Sequence, residues 1–343
     1  MEERLALVTG ATGFIASRLV PALVEAGWEV RACGRRPEAP WLPDAVEYRS
    51  LDLVSDPGVA PLVEGVTHVF HLAGASSSKS SQEEMERDNV VATERLFTTL
   101  AATKGLQRAL HMSSTSVYGE EEQLPSPVPE TVEPHPSRGY GKAKWETEKV
   151  VRHFGDDGMP VVVLRPVSVH GPGAIKLVAS AILDADIERS MGRTTFSVPR
   201  TPIEQRLVHI DDLVGATLHL AAHPDAPGRA FNIVSGVYPS SHEIAEILAD
   251  HFGLQVELDD DPDGGPSYEE RRDAWEAMRE QGMRDDILLT KERLRFMRKS
   301  NRNNRLSIDA LLGTGFELQH TDPRPAIVSD ARWYQQQGWI LGP

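Results

Sequence analysis

Cysteine occurs once in the 343 residues, at Cys33, which excludes an internal disulfide framework and suits a reducing compartment. Aromatic side chains make up only 6% of the chain, and no apolar run approaches the ~20 residues of a membrane-spanning helix. Positive charge is also scarce. Lys and Arg number 36 against 51 Asp and Glu, for a formal charge of −15, and such a surface repels the phosphates of nucleic acid. No charged-then-apolar leader precedes the first apolar segment, so the expected location is cytoplasmic, with neither membrane nor nucleic acid as partner. With 40% hydrophobic residues, a chain of this length can bury a full core, and one large domain plus a smaller lobe is expected around a small-molecule substrate.

Short apolar runs alternate with helical patterns through the first half: residues 5–8, 29–33, 46–48, 68–71, 108–112 and 161–164 read as strands. This alternation predicts an α/β fold of Rossmann type, a doubly wound parallel sheet. Residues 120–137, rich in Pro and Glu, read as a loop, and the acidic stretch from Asp259 to Asp263 reads as a solvated one. Beyond Arg165 the alternation breaks down.

The first strand runs into Thr9-Gly10-Ala11-Thr12-Gly13-Phe14-Ile15-Ala16. A glycine-spaced turn between a strand and a helix directs backbone N–H groups and the positive helix end at a pyrophosphate. Far downstream, Tyr140 and Lys144 are spaced to share one helix face. Tyrosine titrates near ~10, and an adjacent ammonium favours its phenolate, so the pair is expected to lower the Tyr140 pKa and carry protons near neutrality. Where NAD-binding chains place a carboxylate after the second strand, this one has Gly34, Arg35 and Arg36. Two guanidiniums suit a 2′-phosphate, so NADP is expected, with NAD possible; coverage of the sheet edge is the alternative role for the arginines.

Further blocks follow in order: Asp52-Leu53, His71-Leu72-Ala73-Gly74, Asn89 to Thr93, Ser113 to Gly119, Arg165-Pro166-Val167 continuing to Pro172, Val208 to Asp212, and Phe231 to Ile233. Together with the glycine turn and the Tyr140–Lys144 pair, they resemble the extended short-chain dehydrogenase/reductase family, in its epimerase/dehydratase-like group. The resemblance runs through most of the chain. It implies an NAD(P)-dependent oxidoreductase acting at a ketone or secondary alcohol, with Tyr140 as acid and base, Lys144 holding the nicotinamide ribose and Ser114 bonding the substrate oxygen. The implied cofactor pocket comprises Gly10, Thr12, Gly13, Phe14, Ile15, Arg35, Arg36, Asp52, Leu53, Leu72, Ala73, Gly74, Asn89, Tyr140, Lys144, Pro166 and Val167, and no metal is expected. Asp52 would approach the adenine, or act only as a turn carboxylate. The nucleotide-binding domain would span 1–167 with 206–234 returning to it, and 168–205 with 235–343 would form the substrate lobe. A homodimer is implied by the family alone.

Departures from the family narrow the reaction. Thr115 and Ser116 stand where the dehydratases carry an Asp-Glu pair, and neither hydroxyl is an acid or base near neutrality, so water elimination is disfavoured. Ser168 and Gln205 replace an Asn and an Arg common in nucleotide-sugar epimerases. The basic residues Arg293, Arg295, Arg298, Lys299, Arg302 and Arg305 offer either a replacement anion site or a solvated helix face. Arg165 and His209 read as architectural. Met191, Phe196, Trp275 and Met297 read as the core of the lobe more readily than as a pocket lining. Three functions remain open: a reductase or dehydrogenase, a nucleotide-sugar epimerase that retains its cofactor, and a non-catalytic NADP-binding sensor.

Overall fold

The computed structural model describes residues 4–74, 81–119, 124–137, 139–261, 264–287, 289–294 and 304–343. In chain order the first elements are β1 (Leu5–Thr9), α1 (Ala16–Glu25), β2 (Glu29–Gly34), β3 (Glu47–Ser50), α2 (Val59–Val63), β4 (His68–His71), α3 (Gln82–Ala101), β5 (Arg108–Met112), a 3₁₀ turn (Thr115–Tyr118), α4 (Gly139–Asp156) and β6 (Val161–Pro166). Then come β7 (Ser168–His170), α5 (Val178–Ser190), β8 (Thr195–Pro199), β9 (Leu207–His209), α6 (Ile210–Ala222), β10 (Ala230–Ile233), α7 (Ser241–Phe252), β11 (Gln255–Asp259), α8 (Tyr268–Glu280), α9 (Lys291–Leu294), α10 (Asp309–Leu312) and α11 (Pro323–Gln336).

All six expected strands form, several running one or two residues further than their apolar cores because the parallel pairing continues, as where Gly34 partners Ser50. They join β10 in a seven-stranded sheet of order β10-β6-β5-β4-β1-β2-β3. Every residue of β4 and β6 is buried, the pattern of parallel strands covered on both faces. Helix α1 buries Ala16, Leu19, Val20 and Leu23, the three- and four-residue spacing of a single apolar stripe. Cys33 lies in the core, and burial pushes its thiol up to about 12. Among the described residues no helix is long and apolar enough to cross a membrane.

The chain divides into two compact units, one of Met1–Val167, Leu213–Ile233 and Leu306–Glu317, the other of Ser168–Asp212, Val234–Arg305 and Leu318–Pro343. The return to the first unit is therefore shorter than the expected 206–234, and that unit gains 306–317. The gain has a local cause. Leu306 bridges Val128, Ser307 donates its N–H to the Val128 carbonyl at 3.0 Å, and the Asn232 amide donates to the Ser307 carbonyl at 3.1 Å.

In the second unit β8 pairs with β11 and β7 with β9, both in parallel. Asp259 belongs to β11 rather than to a loop, and its carboxylate accepts the N–H groups of Asp261 and Gly265 at 2.9 and 3.0 Å. Asp260 and Asp261 are exposed, whereas residues 262–263 lie outside the described residues. Phe196 is a core residue of this unit, with Met191 and Trp275 packed against the same cluster. Met297 lies outside the described residues.

Candidate active site

The glycine turn is built by backbone necessity. Gly10 has φ +68°, and a Cβ there would lie 2.8 Å from the Ala73 nitrogen and 3.0 Å from the Leu72 carbonyl carbon. The turn thus packs backbone to backbone against the segment that leaves β4, where only glycine fits. Gly13 donates its N–H to the Gly10 carbonyl at 2.9 Å, and Ala11 donates to the Cys33 carbonyl at 3.0 Å. Thr12, Phe14 and Ile15 are half-buried and Gly13 is exposed. Helix α1 then opens with no side-chain cap and no acidic residue in its first turn, leaving its positive end available to an anion. The glycine cradle and the uncapped helix fit a dinucleotide pyrophosphate.

At the end of β2, Arg35 is exposed and makes no ion pair or hydrogen bond with the described residues. Arg36 lies 5.2 Å over the Trp41 ring, and its carbonyl accepts the Tyr48 hydroxyl at 2.7 Å. A Cβ on Gly34 would press to 3.0 Å from the Thr12 methyl, so the strand end and the glycine turn are adjacent. The Asp52 carboxylate accepts the Val54 N–H and the Ser55 hydroxyl, both at 3.0 Å, the contacts of a turn carboxylate. Leu53 is buried.

The ends of β4 and β5 and the start of α4 bring together the proposed reactive groups. Lys144 is 6% exposed, and its ammonium donates to the Met112 carbonyl at 2.8 Å. A Cβ on Gly74 would lie 3.1 Å from Lys144 Nζ and 3.8 Å from Asn89 Oδ1. Gly74, Asn89 and Lys144 therefore converge. Ser114 caps the 3₁₀ turn, its Oγ accepting the Ser116 N–H at 3.1 Å. Pro166 accepts the Thr115 hydroxyl at 3.4 Å, and Val167 donates its N–H to the Ile233 carbonyl at 3.1 Å.

As a whole residue Tyr140 is 36% exposed, but its phenol group is closely surrounded by protein. Its predicted electrostatics need correction. Burial pushes the phenol up to about 12 and pulls Lys144 down to about 8. The ammonium sits 5.8 Å from the Tyr140 ring centroid and is bonded to Met112, so its charge does not offset the desolvation of the phenol. At neutral pH Tyr140 holds its proton and is a donor.

Buried neutral histidines brace this end of the sheet. His71 accepts or donates between Thr9 Oγ1 at 2.8 Å and Thr93 Oγ1 at 3.0 Å, while His111 meets Thr147 at 3.2 Å. Burial lowers His71 to about 3 and carries His111 well below the usual imidazole range, so neither adds positive charge beside Lys144.

Gly141 places Tyr140 against the Ser114 segment: a Cβ there would stand 2.3 Å from the Ser116 carbonyl oxygen and 3.3 Å from Pro136 Cβ. Gly141→Ala must displace the start of α4, and small misplacements in such sites cost up to ~10²-fold. We expect kcat to fall ~10–100-fold while affinity for the nicotinamide cofactor stays within ~2-fold. Steady-state kinetics beside a binding titration checks this, and unchanged kcat would show that this contact does not set the register.

Sequence reasoning passed over Glu148, which is fully buried four residues beyond Lys144 and so on the same helix face. Its carboxylate accepts the Ser113 hydroxyl at 2.9 Å, Arg165 Nε at 3.1 Å and Arg152 Nη2 at 2.8 Å, with a further close bond from Arg165 Nη2. Arg165, also fully buried, donates to the Tyr118 hydroxyl at 2.8 Å, which in turn donates to Asn232 Oδ1 at 2.8 Å. Ser113 is thus tied to the helix, leaving the next residue, Ser114, at the turn. In the basic run, Arg293 donates to the Ile175 carbonyl at 3.0 Å and Arg305 pairs with Glu204 at 2.7 Å. Arg295, Arg298, Lys299 and Arg302 lie outside the described residues.

A parallel sheet of this order, the glycine turn at its first crossover and the Tyr140–Lys144 helix define a nicotinamide-dependent enzyme of the Rossmann class. Residues 6–234 match the NAD dependent epimerase/dehydratase family, and the chain belongs to that family. It is an NAD(P)-dependent oxidoreductase of the extended short-chain dehydrogenase/reductase type.

Among its relatives, GDP-6-deoxy-D-mannose reductase of Pseudomonas aeruginosa is 28% identical over 280 residues, covering 79% of this chain and 88% of that protein. The dTDP-6-deoxy-L-talose 4-dehydrogenase (NAD(P)(+)) of Kitasatospora kifunensis is 31% identical over 275 residues, covering 76% and 84%. The solved structure of MoeE5 in complex with UDP-glucuronic acid and NAD superposes with a TM-score of 0.72 at 25% identity, covering 97% of this chain and 99% of that one.

Proposed function

We propose that this protein is an NADP-dependent reductase that donates hydride to a ketone and exchanges its cofactor in each turnover. The observation that carries the cofactor choice is the end of β2, where Gly34 replaces a carboxylate and Arg35 is exposed and without a partner among the described residues. A 2′-phosphate would be repelled by an acid at that point and gains charge-assisted hydrogen bonds from a guanidinium. The names of the two relatives, a reductase and an NAD(P)-dependent dehydrogenase, support the same chemistry.

When bound, the nicotinamide supplies the hydride. Gly10 and Gly13 would admit the pyrophosphate, the opening of α1 would meet its charge, and Lys144, beside Gly74 and Asn89, would bond the ribose. Ser114 hydrogen-bonds the substrate carbonyl oxygen and polarises it, and Tyr140 gives that oxygen its proton. The Tyr140 phenol carries its proton at neutral pH, as a donor to the ketone oxygen must. Thr115 and Ser116 provide no acid or base for water elimination.

Arg35→Ala should weaken NADPH binding ~10–100-fold and NADH binding less than ~2-fold, because only the former carries the 2′-phosphate. Titration of cofactor-free protein with both nucleotides measures it; equal losses would discard the 2′-phosphate assignment. A second function, an epimerase with a resident cofactor, is favoured by 30% identity over 272 residues to the UDP-glucose 4-epimerase of Mycolicibacterium smegmatis. Denaturing the purified protein and identifying released nucleotide separates the two. Stoichiometric NAD would favour the epimerase, and an empty site preferring NADPH the reductase.

A further inference from the structure

We infer that the second unit contains a buried divalent-metal site formed by His170, His209 and Asp330, apart from the nicotinamide chemistry. The two imidazoles are positioned by strand pairing: β7 and β9 are parallel, with His170 and His209 direct partners in the register. Asp330 reaches them from α11. His170 and His209 are each 4% exposed and Asp330 is 0% exposed, and donor atoms from the three residues all lie within 4.8 Å of one another.

Two features of Asp330 point to a cation. No Lys or Arg pairs with it among the described residues, and a buried carboxylate without a cation is costly. Its two oxygens are also unlike. Oδ2 lies 2.8 Å from His170 Nδ1, but Oδ1 is buried without a hydrogen-bond partner and stands 3.6 Å from His209 Nε2. That separation is too long for a hydrogen bond. Atoms bound to one ion at ~2.0–2.2 Å stand roughly 3–3.6 Å apart, and the Oδ1–Nε2 pair lies at the upper end of that range, with the whole set within 4.8 Å. One lone pair and one ring nitrogen therefore face each other with no hydrogen bond between them.

The surroundings suit a metal-bound imidazole. On the far side of the His209 ring, Nδ1 lies 3.5 Å from Asp211 Oδ2, and the His320 ring is 3.9 Å away between centroids. A carboxylate at the outer nitrogen fixes the tautomer that leaves Nε2 bare for a metal. The competing contact, Asp211 N–H to Nδ1 at 3.3 Å, would instead leave a proton on Nε2, and metal binding selects between them. Gly171, at φ +133°, keeps the space beside Nε2 open, since a Cβ there would be 3.3 Å from that atom. Two imidazoles and one carboxylate match zinc and similar first-row ions. Because the set joins β7, β9 and α11 and is buried, its effect would be to pin the C-terminal helix.

The test uses the full chain, dialysed against a chelator and titrated with Zn²⁺ and Co²⁺ in competition with a chromophoric chelator. One ion per chain is expected, with a rise in the melting temperature and visible Co²⁺ bands typical of low coordination number. Asp330→Asn and His209→Gln should each weaken binding ~100-fold, with NADPH titration showing that the variants fold. If either fails to fold, the Co²⁺ spectrum of the unaltered chain still decides, as absence of bound ion overturns the site. Equal Zn²⁺ affinity in the unaltered chain and Asp330→Asn overturns it too, and leaves a proton shared between the carboxylate and the histidines.

Discussion

Tyr140→Phe is expected to lower kcat for ketone reduction by ~10²–10⁴-fold, the usual contribution of a positioned proton donor, while NADPH affinity changes less than ~2-fold. The substitution removes one oxygen and leaves the ring, so the start of α4 and the 5.8 Å placement of Lys144 over the ring are retained. A loss confined to kcat marks an interaction made in the transition state, whereas a rise in KM alone would mark substrate binding. Stopped-flow turnover beside a cofactor titration separates them. Turnover equal to that of the unaltered enzyme would remove Tyr140 from the mechanism.

The largest effect on stability is expected from Glu148→Ala. Removing this carboxylate leaves the Arg165 guanidinium buried without its main counter-charge and the Ser113 hydroxyl without its acceptor. Breaking a buried pair from one side costs about 3–5 kcal/mol, far more than the pair's net worth. Burial alone would raise the Glu148 carboxyl, but the hydrogen bonds and charges of Arg165 and Arg152 outweigh it and hold the group below the usual range. A carboxyl depressed in the folded state contributes stability that is present above its unfolded pKa of ~4.3 and is lost as pH falls through the folded value. Denaturant unfolding of Glu148→Ala at pH 7 should therefore show the full loss, and the gap to the unaltered chain should narrow below pH 4. A loss under ~1 kcal/mol at pH 7 would mean that Arg165 finds another partner.

What was legible in the sequence was governed by short-range rules. The strands declared themselves as apolar runs, and the glycine turn did so because Gly10 and Gly13 answer a backbone demand that side chains cannot meet. Tyr140 and Lys144 were visible through helical spacing. Glu148 carried the same spacing signal, but its significance depends on Ser113 and Arg165, 35 and 17 residues away. Asp330 is 160 residues from His170, and no periodicity reports such a meeting. The titration of Tyr140 was misjudged for a related reason: helical spacing gives proximity to Lys144 but says nothing of the desolvation that dominates. Likewise, residues 306–317 join the first unit through the bridge to Val128, the bonds of Ser307 and the contacts of Thr314 and Phe316 with His219, none of which has a local signature.

Each unit is assembled from three separate stretches of chain, so neither corresponds to a continuous gene segment. Cutting the chain after Val167 would leave a Rossmann fragment lacking β10, the neighbour of β6, and lacking the Leu306 segment that bonds to Val128. Its outer edge would present the unpaired backbone of β6, an edge prone to joining another chain. Exchanging the second unit between relatives is therefore a matter of replacing inserts within a retained frame, with junctions kept at residues 167–168, 212–213, 233–234, 305–306 and 317–318. A simple front-to-back fusion would place part of the first unit on the wrong side of the join.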